Sequence, residues 1–394
     1  MANYGVKSYF PSQVVSDAEK LSYDYGLKVA KAIQTEWFNN DSNINRYRNN
    51  QNDYHRLRLY ARGEQSIQKY KDELSINGDL SYLNLDWKPV PIIPKFVDIV
   101  VNGIAERTYD IKAYSQDPFG VKKRTEYMES ILRDMKTRTF NEAVKSNLNI
   151  NLFENNPDEL PDTEEELGLH MQLNYKQAVE LAEEQALSIL MEGNNYELIK
   201  KRFYYDLTVL GIGAVKTNFN TSEGVTIDYV DPADIVYSYT DSPYFDDIYY
   251  VGEVKSIPVN ELAKQFPFLT HEDLEEIIKT RSNAKNNYNS TDNYIKEDSN
   301  TVQVLYFNYK TYMNEVYKIK ETGTGADKII PKDDQFNPPE GKEGDYSKLL
   351  RSIETLYEGA FILGTNKLLK WEMAANMMRP KSDYTKVKMN YSIV

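Results

Sequence analysis

The segment from Leu210 to Ser238, LGIGAVKTNFNTSEGVTIDYVDPADIVYS, places the tightest limit on how this chain can fold. A phosphate-gripping glycine loop needs a strand before its glycines and a helix after them, because the helix N-terminus holds the anion. Here the order is reversed. A helical pattern runs into Gly211 and Gly213, and Ala214 to Asn220 then alternates as a strand. The third glycine of a GxGxxG fingerprint would fall at position 216, which is Lys216. Ser222 to Gly224 reads as a turn and Val225 to Val230 as a second strand. Gly211 and Gly213 therefore end a helix and open a β-hairpin, and a nucleotide site is the remote alternative. Asp231 and Pro232 turn the chain again, with further strands predicted at 234–239 and 248–254.

The flanks are helical before this hairpin and β-rich after it. From Asp17 to Tyr60, Ala30, Ile33, Trp37 and Phe38 recur at helical spacing, and Gly63 ends or bends the run. Arg46, Arg48, Arg56, Arg58 and Arg62 interleave with tyrosines, either as a phosphate-binding face or as a solvated helix paired with acids. In NLDWKPVPIIPKFVDIVVNGIAERTYDIKAYSQDP, Pro89, Pro91 and Pro94 favour an extended lead-in. After it, Phe96, Val97, Val100, Val101 and Ile104 form one helical stripe, and residues 108–114 alternate as a short strand. Helices follow at 121–147 and 171–210. Between them, FENNPDELPDTEEELG carries seven acids from Glu154 to Glu166, the composition of a solvated loop. THEDLEEIIKTR is a helix capped by Thr270 with Asp273 three residues on. Residues 282–300 read as a polar linker. Strands are predicted at 302–309, 315–320, 356–363 and 367–372, with residues 323–346 a long loop. The whole is α+β.

Composition narrows the chemistry. The 394 residues carry 60 acidic and 47 basic side chains, a net charge of -13, so any contact with nucleic acid has to be local. There is no cysteine, which excludes disulfides and thiolate chemistry, and the opening MANYGVKSYFPSQ has no signal-peptide pattern. The apolar runs are too short to span a bilayer. His55, His170 and His271 sit in unrelated settings, and no metal-ligand spacing, nucleophile elbow or Walker lysine occurs. No enzyme, cofactor or metal site is expected. Tyrosine is abundant, at 32 residues, which suits buried contacts between subunits or reflects AT-rich coding bias.

The order of these segments resembles the portal proteins of tailed bacteriophages, most nearly those of short-tailed crAss-like phages. Its carriers are YARGEQ, then WKPVPIIPKFVDIVVNGIAERTYDI, then DLTVLGIGAVKTNF with GVTIDYVDPADIVYS, then NTVQVLYFNYKTY and YEGAFILGTNKLLKWE. Together they cover most of residues 40–375. By position, the family-motif residues are Gly63, Trp87, Pro94, Gly103, Gly211, Gly213, Asp231 and Pro232. The resemblance implies a mixed helix and sheet wing over 1–255, a stem helix and polar linker over 256–299, and a β-rich clip over 300–394. It also implies a structural protein of the virion, assembled in the host cytoplasm as a ring of about twelve copies at one capsid vertex. Its partners would be the major capsid protein, terminase during packaging, tail adaptor proteins and double-stranded DNA passing through the channel, with no membrane. Lys310, Lys318, Lys320, Lys386 and Lys388 are the candidate DNA-facing residues, with ordinary surface lysines as the bland reading. The family pattern continues into a second stem helix and a crown, and MNYSIV falls before them. A crown is therefore not expected in this chain, which would be a fragment or have the remainder supplied elsewhere. Another head-tail structural protein, or a nucleic-acid-processing enzyme, is the alternative.

Overall fold

A computed structural model describes residues 10–38, 45–64, 67–75, 86, 90–107, 111–173, 175–287, 301–321, 327–333, 336–337, 346–380 and 382–394. In chain order the N-terminal helices are α1 (Asp17–Lys20), α2 (Tyr23–Trp37), α3 (Arg46–Arg62), α4 (Gln68–Leu74) and α5 (Ile93–Ala105). Next come α6 (Pro118–Leu148), α7 (Glu164–Leu173), α8 (Ala178–Gly193) and α9 (Tyr196–Leu210). The hairpin β1 (Ala214–Asn220) and β2 (Gly224–Val230) leads to β3 (Ile235–Tyr237) and β4 (Tyr250–Pro258). Two helices, α10 (Val259–Gln265) and α11 (His271–Asn287), precede β5 (Thr301–Glu321), β6 (Asp327–Lys332), β7 (Tyr346–Ile362), β8 (Leu368–Met373) and β9 (Tyr391–Ile393). The chain divides into one unit of residues 1–106 with 198–394 and a second of 107–197.

The first unit is built on an open antiparallel sheet of order β3-β4-β5-β7-β8, with β6 added to the far half of β5. Its near half is covered on both faces. Odd-numbered Leu305, Phe307 and Tyr309 of β5 pack with Val29, Ile33 and Trp37 of α2, while even-numbered Val302 and Val304 pack with Leu262 and Ile277 of α10 and α11. Trp37 sits at zero exposure and donates its indole N–H to the Tyr250 hydroxyl at 3.0 Å, so its one polar atom is satisfied inside the core. A smaller sheet, β2-β1-β9, closes a third cluster through Ile212, Ala214, Tyr391 and Ile393 against Val251 and Leu356.

Several elements differ from the sequence reading. The strands expected at 302–309 and 315–320 are one strand, β5, because Thr311 is buried and bonded into the ladder opposite Thr355. Within the loop expected at 323–346, β6 pairs with β5. Of the strand expected at 108–114, residues 108–110 lie outside the described residues and 111–114 form no strand. The Ala113 and Ser115 N–H groups donate instead to the carboxylates of Glu184 and Glu180, at 3.0 and 2.8 Å, so side chains of α8 take the place of a partner strand. The helix expected over 171–210 is broken into α7, α8 and α9, with Asn195 at positive φ between the last two. On α5 only Val97, Val101 and Ala105 are buried, and Phe96 and Val100 of the expected stripe are exposed. The stem-helix region is two helices, and the 255/256 boundary falls inside β4, which pairs along its length with β5. Of the polar linker expected at 282–300, residues 282–287 continue α11 and 288–300 lie outside the described residues.

The second unit holds α6, α7 and α8. Ile131 on α6 gathers Phe153, Leu160, Leu167 and Met171 into a small core. The acidic loop is partly structured. Asp134, 3% exposed, accepts from the N–H groups of Glu154 and Asn155, which turns the chain back on α6. Of α8 only Glu180 is buried, and Val179, Leu181, Leu187 and Ile189 are exposed.

Candidate nucleic-acid interface

Beyond Thr311 the β5/β7 pair runs on with β6 as a three-stranded ribbon. Side chains alternate along each strand, and residues directly opposite across an antiparallel ladder share a face. The register therefore sorts the ribbon. Val316 lies opposite Lys332 and Leu350, Lys318 opposite Ile330 and Lys348, and Lys320 opposite Lys328. Lys318, Lys320, Lys328, Lys332 and Lys348 thus share one face, spread over three consecutive same-face rungs of the ribbon. No acid stands at the described strand positions from Asn314 to Lys320, Lys328 to Lys332 and Lys348 to Ser352 on that face. Neighbouring strands are about 4.8 Å apart and alternate residues about 6.8 Å, so the ammonium groups reinforce one another's field.

The surroundings of this face mix an aromatic ring, polar groups and the exposed Leu350. Phe336 lies 5.9 Å from both Lys318 and Lys332, and Lys348 donates to the Asn337 side chain at 3.2 Å. Glu354 is the nearest acid toward the body. One of its oxygens accepts the Val387 N–H at 2.8 Å, which turns it to the C-terminal segment. Arg351 belongs to the opposite face, where it stacks on Tyr384 at 3.9 Å.

The sequence-derived residues scatter around this feature. Lys318 and Lys320 lie on the lysine face. Lys310 is on the same side of β5 but opposite buried Leu356. Lys386 and Lys388 are exposed on the C-terminal segment, where Lys388 N–H donates to Met378 at 2.8 Å. Lys328 and Lys332 escape a sequence reading because they fall in the stretch expected to be a loop, and Lys348 because it stands just beyond that stretch, in no predicted element. Only strand pairing aligns them.

Of the residues on which the sequence resemblance rests, several stand at corners of the fold. Gly63 caps α3 at φ 74° and Gly211 ends α9 at φ 76°, both in the left-handed region that favours glycine. A Cβ on Gly213 would lie 2.7 Å from the Phe203 ring, so this glycine lets α9 and β1 meet closely. Pro94 opens α5, while Gly103 has open space around it. Trp87 lies outside the described residues. Asp231 caps the short turn begun by buried Pro232, accepting the Ala233 N–H at 2.9 Å, and takes both Arg58 guanidinium branches at 2.7 and 2.9 Å. Arg58 also reaches Asp206 at 3.0 Å, and Tyr229 donates to the same Asp206 carboxylate. Of the five α3 arginines, Arg58 has its partners in this network, Arg46 lies over the Trp37 ring at 4.2 Å, and Arg56 forms an exposed pair with Asp53.

Comparison with known proteins returns no matching family model and no curated relative.

Proposed function

We propose that this chain is a subunit of a portal-like ring through which double-stranded DNA passes, and that the lysine face of the β5/β6/β7 ribbon touches the DNA backbone. The single observation that carries this reading is the cluster of five lysines on one ribbon face, with no acid at the described strand positions of that face, in a chain of net charge -13. A strongly acidic molecule repels DNA, so only such a local patch can hold phosphates. Lysine suits sliding contact, because its ammonium is a point charge on a flexible stem without the fixed bidentate fork of arginine. In this reading the ring sits at a capsid vertex and meets the major capsid protein, terminase and a tail adaptor.

The test is fluorescence anisotropy of a labelled duplex with the full chain at stepped salt. Wild type should bind weakly and independently of sequence, with log Kd linear in log salt. Replacing Lys318, Lys328 and Lys348 by glutamine should flatten that slope by about 0.9 for each lost phosphate contact. An unchanged slope would overturn the assignment of this face. The same variant sized by mass photometry reports separately whether rings form.

A further inference from the structure

Between the small sheet and the even-numbered face of β5 and β7 lies a cleft of about 650 Å³, within the range of small-molecule sites. Its two lysines are held very differently. Lys370 is clamped between Glu358 and Glu372, at 2.9 Å from each, and Glu358 is further engaged by the Asn390 amide at 3.1 Å. Lys216, on β1, has neither ion pair nor hydrogen bond among the described residues. Its ammonium instead lies 4.8 Å from the Tyr391 ring and 6.0 Å from that of Tyr306. Tyr391 is 4% exposed and its hydroxyl has no hydrogen-bond partner among the described residues. Lys216 is thus a half-buried lysine with no ion-paired carboxylate among the described residues, and desolvation of a lysine is one way a protein keeps an amine neutral and nucleophilic.

We propose that this cleft captures a small aldehyde, with the Lys216 amine as the group that bonds to it. The amine lone pair adds to the carbonyl carbon, and the C=O π pair moves to oxygen, which takes a proton to give a carbinolamine. That hydroxyl then leaves as water with the remaining nitrogen-bound proton, so amine plus aldehyde becomes imine plus water. Burial holds the Lys216 amine below the ordinary lysine range. The charged and titratable groups around it are Asp228 on β2, Glu253 and Lys255 on β4, Tyr306 on β5, Glu358 on β7 and Tyr391 on β9. Acids outnumber bases in this set, which disfavours an anionic guest, and the ring faces favour a flat one. The guest class is an uncharged aromatic aldehyde.

This inference is independent of the ring reading. It is tested by exposing the folded full chain to benzaldehyde near neutral pH, reducing with cyanoborohydride and mapping modified lysines by peptide mass spectrometry. Lys216 should be labelled at least about tenfold faster than Lys370 and the exposed Lys122 and Lys279, and denaturation in urea should erase the preference. Its rate should level off at a lower pH than theirs. Lys216→Arg, checked for fold by circular dichroism, should remove this label and leave the others. Lys216 labelled no faster than exposed lysines in the native protein would overturn the proposal.

Discussion

Individual side chains carry two distinct electrostatic loads. Arg58 joins two carboxylates from different parts of the chain, and Asp206 among them is 2% exposed. Burial raises the Asp206 carboxyl above the usual range, so Arg58 and Tyr229 must offset a desolvation cost. Arg58→Met should cost about 3 kcal/mol in urea denaturation, and adding Asp206→Asn should recover part of that, because the penalty is the stranded charge. Lys216 carries the opposite load. Its native pKa lies below its ordinary 10.5, so the unfolded chain binds more protons between the two values, and stability rises with pH across that window. Lys216→Met should therefore be more stable than wild type near neutrality, and the gap should shrink as pH climbs toward about 10. Thermal melts of both proteins across that range would show it. A constant gap would mean that the amine is charged throughout.

At the scale of elements, what was legible in the sequence was what short-range pattern controls. The β1/β2 hairpin follows from alternation around a glycine turn, and the α11 start from Thr270 and Asp273, which exchange hydrogen bonds at 3.1 and 3.2 Å. The corner at Gly211 and Gly213 likewise follows from residue identity, with one glycine serving a positive φ and the other a close approach. Gly213→Ala should cost about 2 kcal/mol by pushing Phe203 aside, and Gly211→Ala about 1 kcal/mol by strain alone. Only the first should be eased by Phe203→Leu, a difference chemical denaturation can resolve. The continuity of β5 was not legible. Asn308, Tyr309 and Thr311 are all buried, so the strand loses its alternation where both faces are covered. The lysine face was only half visible for a related reason: Lys318 and Lys320 stand in a strand-like run, whereas Lys328, Lys332 and Lys348 acquire their common direction from register alone.

At the scale of the whole molecule, many large apolar side chains among the described residues are exposed. Ile189 is 70% exposed and Phe96 61%, and α8 buries almost nothing although helices draw most of their stability from packing an apolar face. Neighbouring copies in a ring are the proposed cover. Leu187→Glu with Ile189→Glu should shift native mass from multimers to single chains at equal concentration, and unchanged assembly would place the subunit contact elsewhere. The long strand adds a mechanical consequence. The 21 residues of β5 extend about 70 Å, and β7 follows it from Val304 opposite Ile362 to Lys320 opposite Tyr346. Pulled along its length, such a ladder has to break its hydrogen bonds together; pulled sideways at the tip, it opens one rung at a time. The ribbon is therefore a strut that resists axial load and peels under transverse load, so the direction of force, more than its size, decides whether it holds.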